Sequence, residues 1–225
     1  GLKHSSQKDD EVPELIAPLR GGIMSFWNVW LVSALAMVII SCKESPAPIT
    51  SSSQASSNST APARWETANF PLPLKISDQF SSAEVTHFEN MAQEWNDAVN
   101  NELDFFNTTS DHTNLSYANL DSFRDGEMGI YRSYSWYDEV SRNALAITQF
   151  FGIRRNVGTP NEYIQLTHAD IIVNERYFNF SDDLSSGTYD LPSVILHELG
   201  HFVGLYHNSN PSTSSVMAPS IFSST

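Results

Sequence analysis

The chain has 225 residues, with 26 acidic against 12 basic side chains and a formal net charge of −14. That balance excludes a basic stripe for nucleic acid, because an acidic surface repels phosphate. A single cysteine excludes a disulfide framework, and the length fits one ordinary domain preceded by extra N-terminal sequence.

Residues 1–23 read as an upstream segment ahead of Met24. Residues 24–40 are largely apolar and lead through Ser41 to Cys42. An apolar run, a small residue and then cysteine resembles a bacterial lipoprotein signal. That resemblance implies a signal peptide over 24–42, acylation of Cys42, and a lipid-anchored protein of the bacterial cell envelope. The alternatives are one N-terminal membrane helix, for which about 20 apolar residues are needed, or a secreted protein. Residues 43–63 are dominated by Ser, Pro, Ala and Thr. They cannot bury enough apolar surface to fold and read as a tether, with a root-mean-square reach of about 25 Å.

The domain is expected over 64–225. Residues 72–76 read as a short strand whose exposed beginning is marked by Pro71 and Pro73. Ser81 and Glu84 make a capping box. Behind it Val85, Phe88, Ala92, Trp95 and Val99 recur at helical spacing, so a helix with one core face follows and Trp95 belongs to the core. Residues 103–122 are polar and read as loop. Residues 129–136, 144–155 and 163–174 read as strands, and the Val-Gly-Thr-Pro turn within 156–161 makes the last two a hairpin. His168 and Asp170 point the same way from a strand. With no further ligand nearby in sequence, they read as a hydrogen-bonding pair rather than a metal site. Asn58, Asn107, Asn114 and Asn179 each begin an N-x-S/T triplet, which under the lipoprotein reading are ordinary surface residues.

Residues 190–203 read as a helix largely buried on all sides, with Asp190 as N-cap and Pro192 in the first turn. It carries His197-Glu198-Leu199-Gly200-His201-Phe202-Val203-Gly204-Leu205-Tyr206-His207, which uses three of the seven histidines. His197 and His201 are one turn apart, with Cβ atoms roughly 5–6 Å apart, so two imidazoles converge on one metal at about 2.0–2.1 Å. Gly204 allows the chain to turn in a left-handed conformation, and His207 then swings back as third ligand. Three neutral imidazoles leave a fourth position for water, the mark of a catalytic zinc. Zinc lowers the pKa of that water toward about 7. Glu198, about 100° round the helix from His197, is placed to take its proton and pass it to a leaving amine. Met217 and Pro219 mark a tight turn just downstream.

The long zinc motif with a downstream methionine turn resembles the metzincin metallopeptidases. Trp65, the first helix with Trp95, Ala169-Asp170-Ile171-Ile172-Val173 and Tyr189-Asp190-Leu191 resemble the matrixin branch. The resemblance implies an α+β fold, a twisted mixed β-sheet with a long N-terminal helix and an active-site helix. It implies a zinc-dependent endopeptidase acting on protein or peptide segments laid along a sheet edge, with Met217 supporting the site from beneath. It also implies a specificity-pocket wall around 219–222 and a further C-terminal helix, so the sequence reads as a fragment. Asn208 stands where matrixins carry serine. No histidine lies in 175–189, where animal matrixins hold a structural zinc and calcium ions, so one zinc is expected and calcium, though open, has no support in the sequence. A monomer is expected. The alternative function is a non-catalytic, zinc-containing envelope binding protein of the same fold, which the presence of Glu198 opposes.

Overall fold

The computed structural model describes residues 35–44, 61–99, 102–112, 117–183, 185–210 and 214–221. The strands are β1 (Leu35–Glu44), β2 (Ala63–Arg64), β3 (Leu72–Ser77), β4 (Phe106–His112), β5 (Gly129–Ser133), β6 (Ala144–Arg155), β7 (Tyr163–Asn174), β8 (Phe180–Ser181), β9 (Tyr189–Asp190) and β10 (Ser220–Ile221). The helices are α1 (Ser82–Asp97) and α2 (Leu191–Phe202). The main sheet runs β10-β1-β6-β7-β5-β3-β4, with β2 alongside the start of β7. Within it, β3, β4, β5 and β7 are parallel neighbours, while β6 is antiparallel to β7. The expected α+β architecture with a mixed sheet and two helices is therefore present.

The long helix starts where the capping box placed it. Ser81 Oγ accepts from Glu84 N–H, and the Glu84 carboxylate accepts from Ser81 N–H. Phe88 and Ala92 face the core, joined by half-buried Val85 and Trp95. Glu84 also pairs with Arg132 on β5, whose other side meets Glu175 at 3.0 Å. One guanidinium thus ties the first turn of α1 to the sheet and to the end of β7. Half-buried charges paired in this way fix geometry more than they add stability.

The β6–β7 hairpin is formed. Its turn uses Asn156 and Gly158 at positive φ, and a register shift falls between Phe151 and Gly152. Both strands are buried on both faces over most of their length. Ala146, Phe150, Ala169, Ile171 and Val173 pack on the helix side with Val194, Ile195, Leu199 and Phe202. Ile147 and Ile172 pack on the other side beneath Leu120, Phe123 and Tyr137. A continuous apolar run is what a strand covered on both faces requires.

Two expectations need correction. Residues 103–122 are not all loop: Phe106–His112 forms β4, at the far end of the sheet beside β3. Its Asn-Thr-Thr-Ser-Asp run carries no apolar alternation because an end strand is held by its backbone ladder more than by side-chain burial. Asn96, which the helical spacing did not single out, is buried and bridges to this strand: its Oδ1 accepts from Phe105 and Phe106 N–H. Second, strand β5 ends at Ser133, short of Trp136. Strand β3 has the exposed beginning expected of it, with Pro71 and Pro73 at the surface. It lies between β4 and β5, and β5 pairs only with Lys75 and Ile76, so the missing N–H of Pro73 interrupts no ladder on that side.

Most of the expected signal segment and tether lie outside the described residues. The described part of the signal segment runs as β1 along β6, and Cys42 falls in that strand, where the register shifts between Ser41 and Lys43. Among the described residues no helix is long and apolar enough to cross a membrane. At the tether's other end, Ala63–Arg64 pairs with Ile164–Gln165.

Candidate metal centre

Helix α2 lies against β6, β7 and α1. Asp190 caps it, accepting from Ser193 N–H at 3.0 Å. Two indoles fasten its carbonyls: Trp95 Nε1 donates to Leu196 O at 2.9 Å and Trp65 Nε1 donates to Phe202 O at 2.8 Å. Trp95 is thus a core residue, as expected, and also a tie to the helix carrying the motif.

His197 and His201 are buried on one face of α2, and His207 is half-buried. The three rings converge. Nε2 of His197 lies 3.0 Å from Nε2 of His201 and 3.2 Å from Nε2 of His207. Tetrahedral bonds of about 2.05 Å to zinc would set donor atoms about 3.3 Å apart, so the spacing fits. The chemistry of the donors fits as well. Nδ1 of His197 is 2.6 Å from Val216 O, and Nδ1 of His201 is 2.7 Å from Leu205 O. A carbonyl only accepts, so each Nδ1 carries the proton and each Nε2 presents a lone pair. Two lone pairs 3.0 Å apart repel each other unless a cation lies between them. Burial keeps these rings neutral, pushing the pKa of His201 down to about 3 and that of His197 down to about 4, and lowering that of His207. Neutral imidazole is the ligand form. Among the described residues these three make the one cluster of metal-ligating side chains.

The turn after α2 depends on glycine. Gly204 has φ of 103°, and an added Cβ would lie 2.4 Å from Ala63 O. The chain there passes under the start of β2, and Gly204 N–H donates to His201 O at 2.9 Å. Tyr206 donates to Ala61 O, which holds the returning segment against the residues just ahead of β2 and presents His207.

Met217 is buried in a turn closed by Ala218 N–H to Ser215 O. A Cβ on Gly200 would lie 2.2 Å from Met217 Sδ and 2.8 Å from the Trp95 ring. The methionine therefore packs directly on the helix between the two histidines. Its neighbour Val216 holds the His197 ring. The backbone N–H of Asn208 donates to Met217 O at 2.7 Å. That bond is made by the main chain, so it does not depend on serine at this position.

Glu198 is fully buried. Thr148 Oγ1 on β6 is 2.6 Å from its Oε2 and 3.0 Å from its backbone O. Thr148 was not found by sequence reasoning. It is a hydroxyl in an apolar strand, fifty residues from Glu198, and no local pattern joins them. His168 and Asp170 form the expected hydrogen-bonded pair at 2.7 Å. His168 Nε2 also reaches Phe123 O, and Asp170 accepts from Gly129 N–H. The pair is a buried tie between β7, β5 and the 120–123 turn, away from the three histidines in the sheet. Cys42 lies in β1.

No curated protein and no solved structure matches the chain. A family profile does: the one described as Matrixin, a peptidase family, aligns with residues 74–225. It begins inside β3 and takes in α1, both central strands, the histidine helix and the methionine turn, about two thirds of the sequence. The chain belongs to the matrixin family.

Proposed function

We propose that the protein is a zinc-dependent endopeptidase hydrolysing peptide bonds of protein substrates. The observation that carries the reading is the convergence of three lone-pair-bearing Nε2 atoms, two of them fixed in that state by backbone carbonyls. His197, His201 and His207 would hold one zinc ion. When bound, zinc supplies a Lewis acid for the scissile carbonyl and a more acidic water. The protein's own residues do the rest. Val216 O and Leu205 O orient the rings. Glu198 carries a proton from the attacking water to the leaving nitrogen. The Thr148 hydroxyl steadies the Glu198 carboxylate as it changes protonation state. The substrate would bind as an extended segment laid along a sheet edge, adding main-chain hydrogen bonds to the sheet.

The test is zinc content together with hydrolysis of an unstructured protein by the 225-residue chain, with and without a chelator. One zinc per chain and chelator-sensitive cleavage are expected. Zinc without cleavage would favour the binding-protein alternative. The proposal extends to location: Cys42 is the acylated residue of an envelope lipoprotein. Cys42→Ala should then release the protein from membranes, and unchanged membrane association would refute acylation.

A further inference from the structure

Residues 61–66 run as an extended segment between β7 and the turn that leads from α2 to His207. Successive residues of such a segment present their groups to opposite sides, and the contacts divide that way. On one side, Pro62 O accepts from Ile164 N–H at 2.8 Å, the Arg64 guanidinium lies 3.7 Å over the Tyr163 ring, and Glu66 accepts from the Tyr163 hydroxyl at 3.1 Å. All three hold the segment to the start of β7. On the other side, Trp65 Nε1 donates to Phe202 O at 2.8 Å, Ala63 O lies 2.4 Å from where a Cβ on Gly204 would sit, and Ala61 O accepts from the Tyr206 hydroxyl at 2.9 Å. Residue 65 meets 202, 63 meets 204 and 61 meets 206, so the two stretches run antiparallel in one unbroken register. Interleaved with these contacts stand His201, then Leu205, whose carbonyl holds the His201 ring, then His207.

We infer that residues 61–66 are a strap that sets the third metal ligand, so that the hold on zinc is decided from the segment ahead of β3 and not by α2 alone; this rests on the proposed zinc site above. His197 and His201 are placed by the helix. His207 is reached only through a glycine turn, and glycine leaves the backbone its widest freedom. A ligand free to wander must be ordered when metal binds, which costs conformational entropy. The strap orders the turn beforehand, at three points, the last of them on the neighbour of His207. Its own hold on the sheet comes through Pro62, Arg64 and Glu66. A cut or a displacement within 61–66 would therefore loosen the third ligand from a distance, and zinc would leave with all three histidines intact.

Coupling of this kind is reciprocal, so the first measurement needs no variant. Residue-resolved hydrogen exchange is compared between the metal-free and the zinc-loaded 225-residue chain. Zinc should slow the Ile164 amide, which donates to Pro62 O, more than the Lys75 amide, which donates to Met128 O away from the strap. Equal slowing of the two would overturn the inference. The second measurement takes the zinc dissociation constant by competition with a chelating dye, and the visible absorption of cobalt(II) bound in place of zinc. Tyr206→Phe removes the bond to Ala61 O, and Arg64→Ala/Glu66→Ala loosens the strap on its β7 side. Each should weaken zinc binding about 10-fold or more, the usual effect of losing groups that hold metal ligands from behind, and each should alter the cobalt spectrum. Arg155→Ala, which loses a bond to Gln165 beside the strap, should change neither. Unchanged affinity and spectrum in Arg64→Ala/Glu66→Ala would overturn the inference, whatever Tyr206→Phe does. An unaltered chain that takes up no zinc would sink the zinc reading and the strap with it. Zinc held by the unaltered chain and lost by the variants, with no peptide cleaved by either, would sustain the strap and sink the endopeptidase reading alone.

Discussion

The hydroxyl of Thr148 lies 2.6 Å from Oε2 of Glu198, joining the middle of β6 to the residue proposed as general base. A strand inside the sheet and the group that would move the proton are thereby set in one frame. A hydrogen bond to a buried charged group is worth about 1.5–3 kcal/mol. Thr148→Val should lower kcat roughly 10- to 100-fold with zinc stoichiometry unchanged, and Thr148→Ser should restore most of it. An undiminished kcat in the valine variant would remove Thr148 from this role.

Glu198→Gln keeps the shape of the side chain and removes its basicity. Zinc binding should persist, while turnover falls by about 10²–10⁴-fold, the usual contribution of a positioned base. Metal analysis beside peptide hydrolysis checks both halves. Turnover close to that of the unaltered protein would exclude Glu198 as the base.

The metal-free protein should lose stability in acid. The folded state holds His197 and His201 neutral, with pKa values of about 4 and about 3 against an ordinary 6.5. The unfolded chain takes up protons below pH 6.5 that the folded chain does not. Stability from these groups is therefore present above that pH and is lost as pH falls toward 3–4. Asp170, raised to about 6 by burial, acts in the opposite sense over its own range. The comparison is therefore between the metal-free protein and His197→Gln/His201→Gln, by urea unfolding at pH 7 and pH 5. The drop between the two pH values should shrink in the double variant; an equal drop would assign the acid sensitivity elsewhere.

Two glycines at positive φ separate backbone strain from crowding. Gly158 has φ of 75° and open space where a Cβ would go, while Gly204 has φ of 103° and a carbonyl oxygen 2.4 Å from that point. Gly158→Ala should cost only the conformational penalty, about 1–2 kcal/mol. Gly204→Ala should cost at least about 1 kcal/mol more and weaken zinc binding, since His207 lies three residues on. Equal losses in thermal unfolding would show that the chain beside Ala63 yields freely.

The motif, the capping box, the hairpin and the fold class were legible in the sequence because each depends on residues close together in the chain. His197, Glu198, His201, Gly204 and His207 share one helix and its turn, and a helix fixes their relative placement. The polar end strand β4 was hidden, because Phe106–His112 is held by parallel pairing to β3 across the whole of α1. Thr148 and the Trp65 and Trp95 ties were hidden for the same reason: their partners are 50, 137 and 101 residues away. Trp95 looks the same in sequence whether its indole nitrogen finds a partner or not.

Those two tryptophan ties bear on how the protein is made. Trp65 and Trp95 leave the ribosome long before the carbonyls of Leu196 and Phe202 that they hold. The sheet strands that receive α2 come out ahead of it, and the Met217 turn emerges later still. During synthesis a growing chain therefore has its scaffold well before its metal centre, and no shorter nascent chain carries the complete histidine site with the methionine beneath it. A protein proposed to cut peptides would complete its cutting edge only after the strands that hold it.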